Sequence, residues 1–350
     1  MTYAMYPFQL HTPGSVNEAM ELVKQYPEAM FLAGGTDLVV NLRKRLAEPE
    51  HVIDVKGMAE LRGIEQGESH VTIGAGETLH DIANSPLVNE KYPVLAEAAA
   101  TVAGPTIRAM GTLGGNLCLD TRCRYYNQSF FWREANDFCL KKDGEVCHVA
   151  PGGSFCWAAF SGDTPPALMM LGAEAELIGP QGTRRVPLTE FYGTDGRWSV
   201  GDKPGGKQPG ELLVRVHIPQ PEPGWQGVYE KLRVRESIDY PLVGVAMMVR
   251  YEPGGSRVIG ELRVGLTAVN PRPELLPELE LFRGEEMSVK VVDGLKRLAN
   301  KTAKPMRTTV VDPKYRRSMV GALIESAAIR LAPELKEDLD AQLRWMAPAS

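Results

Sequence analysis

The chain has 350 residues, more than a single hydrophobic core usually organises, so two or three domains are expected. Its apolar share of 43% can fill a sizeable core, and its net charge of −5 arises from interspersed signs, which excludes the basic stripe of a nucleic-acid binder. The opening "MTYAMYPFQLHTPGS" has no basic start followed by an apolar run, and no stretch of about 18 uncharged apolar residues occurs, so the expectation is a soluble cytoplasmic protein without a membrane span.

In chain order, "PFQLHTP" predicts a strand and "SVNEAMELVKQY" a helix opened by a capping box, Ser15 with Glu18, carrying Val16, Ala19, Met20 and Val23 on one face. "AMFLAGGTDL" predicts a second strand, a glycine turn, and a helix entered at Thr36 or Asp37 that runs through "LVVNLRKRL". "HVIDV" predicts the third strand. This βαβαβ pattern over residues 1–57 implies a small parallel sheet with the glycine turn at the carboxyl end of its middle strand. Residues 58–219 mix short strands ("VTIGAG", "AEAELIG", "RRVPL") with helices ("TLHDIANS", "YPVLAEAAATV"). A turn-rich "QPEPGWQG" then marks a boundary. In residues 220–350, "YEKLRV", "VGVAMMVRY" and "ELRVGLTAV" alternate as strands before helices dominate from Met287. The fold class is α+β in three domains.

Two glycine turns put small residues beside main-chain donors: "AGGTDL" (Ala33 to Leu38) and "TLGGNL" (Thr112 to Leu117), the latter with Arg108 nearby as a charge partner. Either alone is an ordinary turn or helix cap. Two of them, separated by a domain boundary, imply a cleft that grips a diphosphate from both sides. No G-x-G-x-x-G occurs. "GDKPGGKQ" (Gly201 to Gln208) imitates a phosphate loop but carries Gln208 where a magnesium-binding hydroxyl is required, and it reads as a surface loop.

"FLAGGTDL", "VTIGAGETL", "IRAMGTLGGNL", "GDTPPALMML", "PGELLVRVHIP", "YEKLRVRESIDYPLVGVAM" and "VGLTAVNPRP" follow one another as in the flavoprotein subunits of the molybdenum hydroxylase family, which includes xanthine and carbon monoxide dehydrogenases. The resemblance spans nearly the whole chain. It implies a three-domain subunit whose first two domains bind FAD. By position, it makes Leu32, Ala33, Gly34, Gly35, Thr36, Asp37 and Leu38 a pyrophosphate-binding turn. Val102, Ala103, Arg108, Thr112, Gly114, Gly115 and Asn116 become the second wall. Asp163 takes the position that holds the ribose end, Leu213 packs near the isoalloxazine, and Lys231 supplies a positive charge favouring reduced flavin. Leu213 by itself reads as core, and Lys231 by itself as a solvated strand residue.

Where relatives have a short connector after "GGNL", about forty extra residues run here from Cys118 to Ser161 and hold all five cysteines and nine of the 25 aromatics. Cysteines clustered in a reducing compartment are more often metal ligands or catalytic thiols than disulfides. Cys123, Cys139, Cys147 and Cys156, with 15, 7 and 8 residues between neighbours, are the favoured set. Spacing alone leaves zinc and a [4Fe–4S] cluster open. The position beside the flavin turn favours the cluster, because zinc passes no electrons. Arg122, Arg124, Lys141 and Lys142 either offset a cluster's charge or are solvated loop charges, and His148 reads as a neighbour. Cys118 reads as a thiol near the flavin, with ligation in place of Cys123 as the alternative. Such an insert resembles the 4-hydroxybenzoyl-CoA reductase branch of the family. That resemblance implies ferredoxin as electron donor, a large molybdenum-cofactor (molybdopterin) subunit, a small [2Fe–2S] subunit, and a dimer of heterotrimers. The alternatives are a zinc-stapled docking insert on another family member's flavin subunit, or a free-standing flavin oxidase.

Overall fold

The computed structural model describes residues 5–201, 205–254 and 257–339. Its strands are β1 (Gln9–His11), β2 (Met30–Leu32), β3 (His51–Asp54), β4 (Ile64–Gln66), β5 (His70–Gly74), β6 (Glu174–Gly179), β7 (Gly182–Pro187), β8 (Leu212–Pro219), β9 (Trp225–Leu232), β10 (Val243–Tyr251), β11 (Ile259–Thr267) and β12 (Glu274–Leu275).

The helix Val16–Gln25 follows its sequence signal: Ser15 Oγ accepts from the Glu18 N–H at 3.2 Å, and Val16, Ala19, Met20 and Val23 are buried. Glu18 reaches back to the Gly14 N–H at 2.7 Å, one residue before the cap itself. β1, β3 and β2 form a parallel sheet in that spatial order. The expectation that the glycine turn follows the middle strand is therefore corrected. β3, with Val52 and Ile53 fully buried, is central, while the half-buried Met30, Phe31 and Leu32 make β2 an edge strand. The strand with the most enclosed side chains takes the middle, as burial demands. The following helix, Leu38–Arg43, is also shorter than expected. Arg45 takes a φ of 54°, and the Leu46 N–H turns back to the Asn41 carbonyl at 2.9 Å, a left-handed stop that no local glycine announces.

β8 arrives late in the chain to sit between β5 and β6 in a five-stranded antiparallel sheet ordered β4-β5-β8-β6-β7. Helices Pro93–Ala100 and Thr164–Met170 share its core, and they also pack on β9 and β11 of the third sheet, ordered β12-β11-β10-β9. Helix Pro313–Leu331 lies against β9 and β10 of that sheet and packs on helix Val289–Thr302. The third sheet is thus closed between helices of its own region and helices of the preceding one. Among the described residues, no helix is long and apolar enough to cross a membrane.

The cysteine-bearing insert leaves and returns at one point. Arg122 and Ala159 pair as an antiparallel bridge, with N–H···O distances of 2.6 and 2.7 Å. Beyond that gate, all three sheet regions hold it. The Arg133 guanidinium donates to the Arg45 carbonyl at 2.6 Å, the Cys156 N–H donates to the Asp195 carboxylate at 3.1 Å, and the Arg124 N–H donates to the Thr308 carbonyl at 2.7 Å. An insert with a single named helix, Phe130–Glu134, is ordered by these ties.

Candidate functional site

A cleft of about 1500 Å³ opens where the regions meet, larger than the roughly 300–1,000 Å³ of ordinary small-ligand pockets. Ala33 to Leu38 line one side; Val102, Ala103, Thr112, Gly114, Gly115 and Asn116 line the other, with Asp163 and Leu213. Both turn glycines are required by geometry. A Cβ on Gly34 would collide with the Met110 carbonyl, and Gly35 has a φ of 71°.

The two turns have different parts. Among the described residues, the N–H groups of Gly34, Gly35, Thr36 and Asp37 donate to no protein acceptor, so the first turn presents a row of free donors suited to phosphate. The second turn has committed three of its donors within the protein. Leu113 N–H goes to Glu77 O at 2.9 Å, Gly114 N–H to Ala75 O at 2.8 Å, and Gly115 N–H to Thr112 Oγ at 3.0 Å. The Thr112 N–H and the Asn116 side-chain N–H, both in the lining, donate to no protein acceptor among the described residues, so this turn still offers donors from the other side. The chemistry of this donor set fits a dinucleotide diphosphate such as that of FAD.

Three expected contacts lie outside the lining. Leu32 ends β2 behind the turn. Arg108 turns back to its own loop, donating to the Val102 carbonyl at 2.8 Å and the Ala103 carbonyl at 3.4 Å. It thereby fixes Ala103, whose φ of 44° costs a non-glycine residue about 1 kcal/mol. Lys231 is no solvated strand residue. Its ammonium, 3% exposed, pairs with the Asp163 carboxylate at 2.9 Å, and Tyr229 donates to the same carboxylate at 2.7 Å. Burial pushes the Asp163 carboxyl up, against the pull of Lys231 and Tyr229. Burial pushes Lys231 down, against the pull of Asp163. Leu213 reaches the cleft where β8 shifts register against β6, and it is core and cleft wall together.

Sequence reasoning missed the roof. Ile238, Asp239 and Tyr240, in the β9–β10 connection, line the cleft. Tyr240 donates to Asp37 at 3.1 Å, and Arg122, which pairs with Asp37, lies 4.3 Å from the Tyr240 ring centroid. Ile238 adopts a φ of 75°, rare for a β-branched residue and invisible to composition. At another part of the lining, Tyr26 and His51 stack at 3.7 Å. The segment 201–208 is not simply a surface loop. Lys207 and Gln208 line the cleft, and Gly206 is packed so tightly on the Glu190 carbonyl that a Cβ would collide. Residues 202–204 of that segment lie outside the described residues.

The insert builds a second cavity. Cys123, Cys139, Cys147 and Cys156, each no more than 8% exposed, line one space of about 20 Å³, measured as room for the centre of a water molecule. Tyr125, Tyr126, Lys141, His148 and Val149 complete its wall. Cys118 is elsewhere: it lines the cleft. Burial pushes the Cys123 thiol up to about 11, although the Tyr125 main chain draws it down. Burial pushes Cys156 up to about 12, with Lys141 and the Ala158 main chain pulling the other way. As free thiols both stay protonated near neutrality, so ligation by either releases a proton. Among the described residues, no three His, Cys, Asp or Glu side chains are arranged to hold one metal ion. Four thiols lining one space are a donor set that either a zinc ion or an iron–sulfur cluster would take. Three of the four thiols, with Leu46, Tyr126 and Ala158, form a small core. His148 stands in the cavity wall with its Nε2 bonded to the Phe138 carbonyl.

A cleft with main-chain phosphate donors, between a small parallel sheet and an antiparallel one, defines a dinucleotide-binding subunit. The FAD-binding domain in molybdopterin dehydrogenase matches residues 6–221, and the CO dehydrogenase flavoprotein C-terminal domain matches residues 228–331. The chain therefore belongs to the FAD-binding subunits of the molybdenum hydroxylase family. It is 30% identical to the carbon monoxide dehydrogenase medium chain of Afipia carboxidovorans, over 94% of this chain and 98% of that one. It is 32% identical to an aldehyde oxidoreductase FAD-binding subunit of Escherichia coli, over 84% and 90%. The solved carbon monoxide dehydrogenase of Hydrogenophaga pseudoflava superposes with a TM-score of 0.75 at 27% identity, covering 93% of this chain and 96% of that one.

Proposed function

We propose that this chain is the FAD- and [4Fe–4S]-carrying electron-transfer subunit of a molybdenum-containing 4-hydroxybenzoyl-CoA reductase. It passes electrons from ferredoxin toward a molybdenum site where an aromatic CoA thioester loses its phenolic hydroxyl. The observation that carries this reading is the convergence of four cysteines on one cavity that shares a wall with the cleft. Flavin supplies the exchange between two-electron and one-electron chemistry. The chain's own residues do the holding: the Gly34–Asp37 donors face the diphosphate, Asp163 the ribose end and Leu213 the ring system, while Cys123, Cys139, Cys147 and Cys156 ligate the cluster. Lys231 acts through Asp163, and Arg108 through the Val102–Ala103 loop. No residue here performs the dehydroxylation, which belongs to a large molybdenum-cofactor subunit. A small [2Fe–2S] subunit completes the heterotrimer, and the assembly is a dimer of heterotrimers in the cytoplasm.

The second reading is the flavin subunit of another family member with a zinc-closed docking insert. In its favour stand relatives named as dehydrogenases, oxidoreductases and a hydroxylase. The deciding experiment purifies the complex without oxygen and supplies reduced ferredoxin with 4-hydroxybenzoyl-CoA. Formation of benzoyl-CoA and water, consuming two electrons and two protons, is expected. An intact, flavin-loaded complex that leaves the thioester untouched yet oxidises an aldehyde or a heterocycle sinks the reductase assignment.

A further inference from the structure

Of the residues that line the cysteine cavity, Tyr126 and Lys141 are the two that also line the cleft. They are the wall between the two spaces. Lys141, expected from sequence to be a solvated loop charge or a partner for a cluster, has a side chain only 1% exposed. Its ammonium donates to the Asp120 carboxylate at 2.6 Å, to the Thr121 carbonyl and the Ser199 hydroxyl at 3.1 Å each, and to the Thr121 hydroxyl. It also stands 4.3 Å from the centroid of the buried Tyr126 ring. Five partners for one cation leave no proton unpaired.

Hiding an ammonium carries a large desolvation cost, and replacing a buried ion pair by apolar residues is often neutral or stabilising. A packing role alone would be met by leucine. The counter-ion is also placed asymmetrically, since Asp120 lines the cleft but not the cysteine cavity, whereas Lys141 lines both. On the cysteine side its charge is felt through space, drawing the Cys156 thiol down against burial. Four thiolates around a cluster carry negative charge that grows on reduction, and a fixed cation in a low-dielectric wall stabilises the more negative form.

We infer that Lys141 is the internal cation that raises the reduction potential of the group held by the four cysteines, with Asp120 opposing it. Lys141 is a positioning residue here, acting by charge through space. The inference rests on the cluster reading above. The test uses the anaerobic full complex, with iron and sulfide assays followed by redox titration of the cluster's electron paramagnetic resonance signal. Lys141→Met is expected to keep its iron and titrate at a more negative potential than wild type. Asp120→Asn, which keeps the cation and removes its counter-charge, is expected to titrate at a more positive one, and it carries the test alone if Lys141→Met does not assemble. Opposite shifts of this kind are not produced by loosened packing. A wild-type complex without iron and sulfide overturns the cluster reading itself. A wild-type cluster whose potential is unmoved, or moved the other way, in these variants overturns only the role of Lys141.

Discussion

The cleft and the cysteine cavity lie side by side and are built from opposite materials. The cleft presents main-chain N–H groups of a turn whose sequence needs little beyond two glycines, while the cavity is made of side chains on a segment with almost no regular structure. The contrast teaches that a main-chain site fails through added bulk, and a side-chain site fails through one lost atom.

The largest effect is expected on the cavity. Serine at Cys123, Cys139, Cys147 or Cys156 is expected to abolish iron and sulfide content and make residues 123–156 sensitive to proteolysis, with FAD retained. Cys118→Ser is expected to leave iron unchanged, since that thiol faces the cleft. Metal analysis and limited digestion read both. Next is a place where the cleft depends on a buried charge. Asp163→Ala strands the Lys231 ammonium and is expected to cost about 3–5 kcal/mol of stability, read by denaturant unfolding of the FAD-loaded protein. Gly34→Ala tests the role of bulk: its methyl must displace the Met110 carbonyl, at about 1–3 kcal/mol, and FAD affinity measured by calorimetry is expected to fall about ten- to a hundredfold while iron content holds. The smallest change is Thr112→Ala, which removes the cap on the Gly115 N–H and is expected to cost about 1 kcal/mol in thermal or denaturant unfolding.

These differences also account for what was legible in the sequence. Helix Val16–Gln25 was readable to within a residue because its cap and its apolar face are both local features. The turn glycines were readable because few other residues tolerate those positions, and the four cysteines because thiols cluster for few reasons. The central place of β3 was not readable: spatial order in a sheet is decided by burial against distant partners such as Leu212 and Val214 of β8. Nor was the pairing of the Leu113 and Gly114 N–H groups, since Glu77 and Ala75, which accept from them, lie more than thirty residues upstream. The partners of Arg108, Lys141 and Lys231 were not legible for a common reason. A charged side chain in a sequence reads as solvated or ligand-facing, and only packing reveals one spent on carbonyls or on a buried carboxylate. The Ile238–Tyr240 roof depends on a backbone turn at Ile238 that its residue type disfavours.

The central claim is that the four thiols hold a redox group beside the flavin. The most direct measurement is anaerobic purification with parallel assays of iron, zinc, acid-labile sulfide and flavin, and absorption spectra before and after dithionite. About four irons and four sulfides per FAD, with visible absorbance that bleaches on reduction, is the expected result. One zinc per FAD with neither iron nor sulfide would contradict it and make the insert a structural staple.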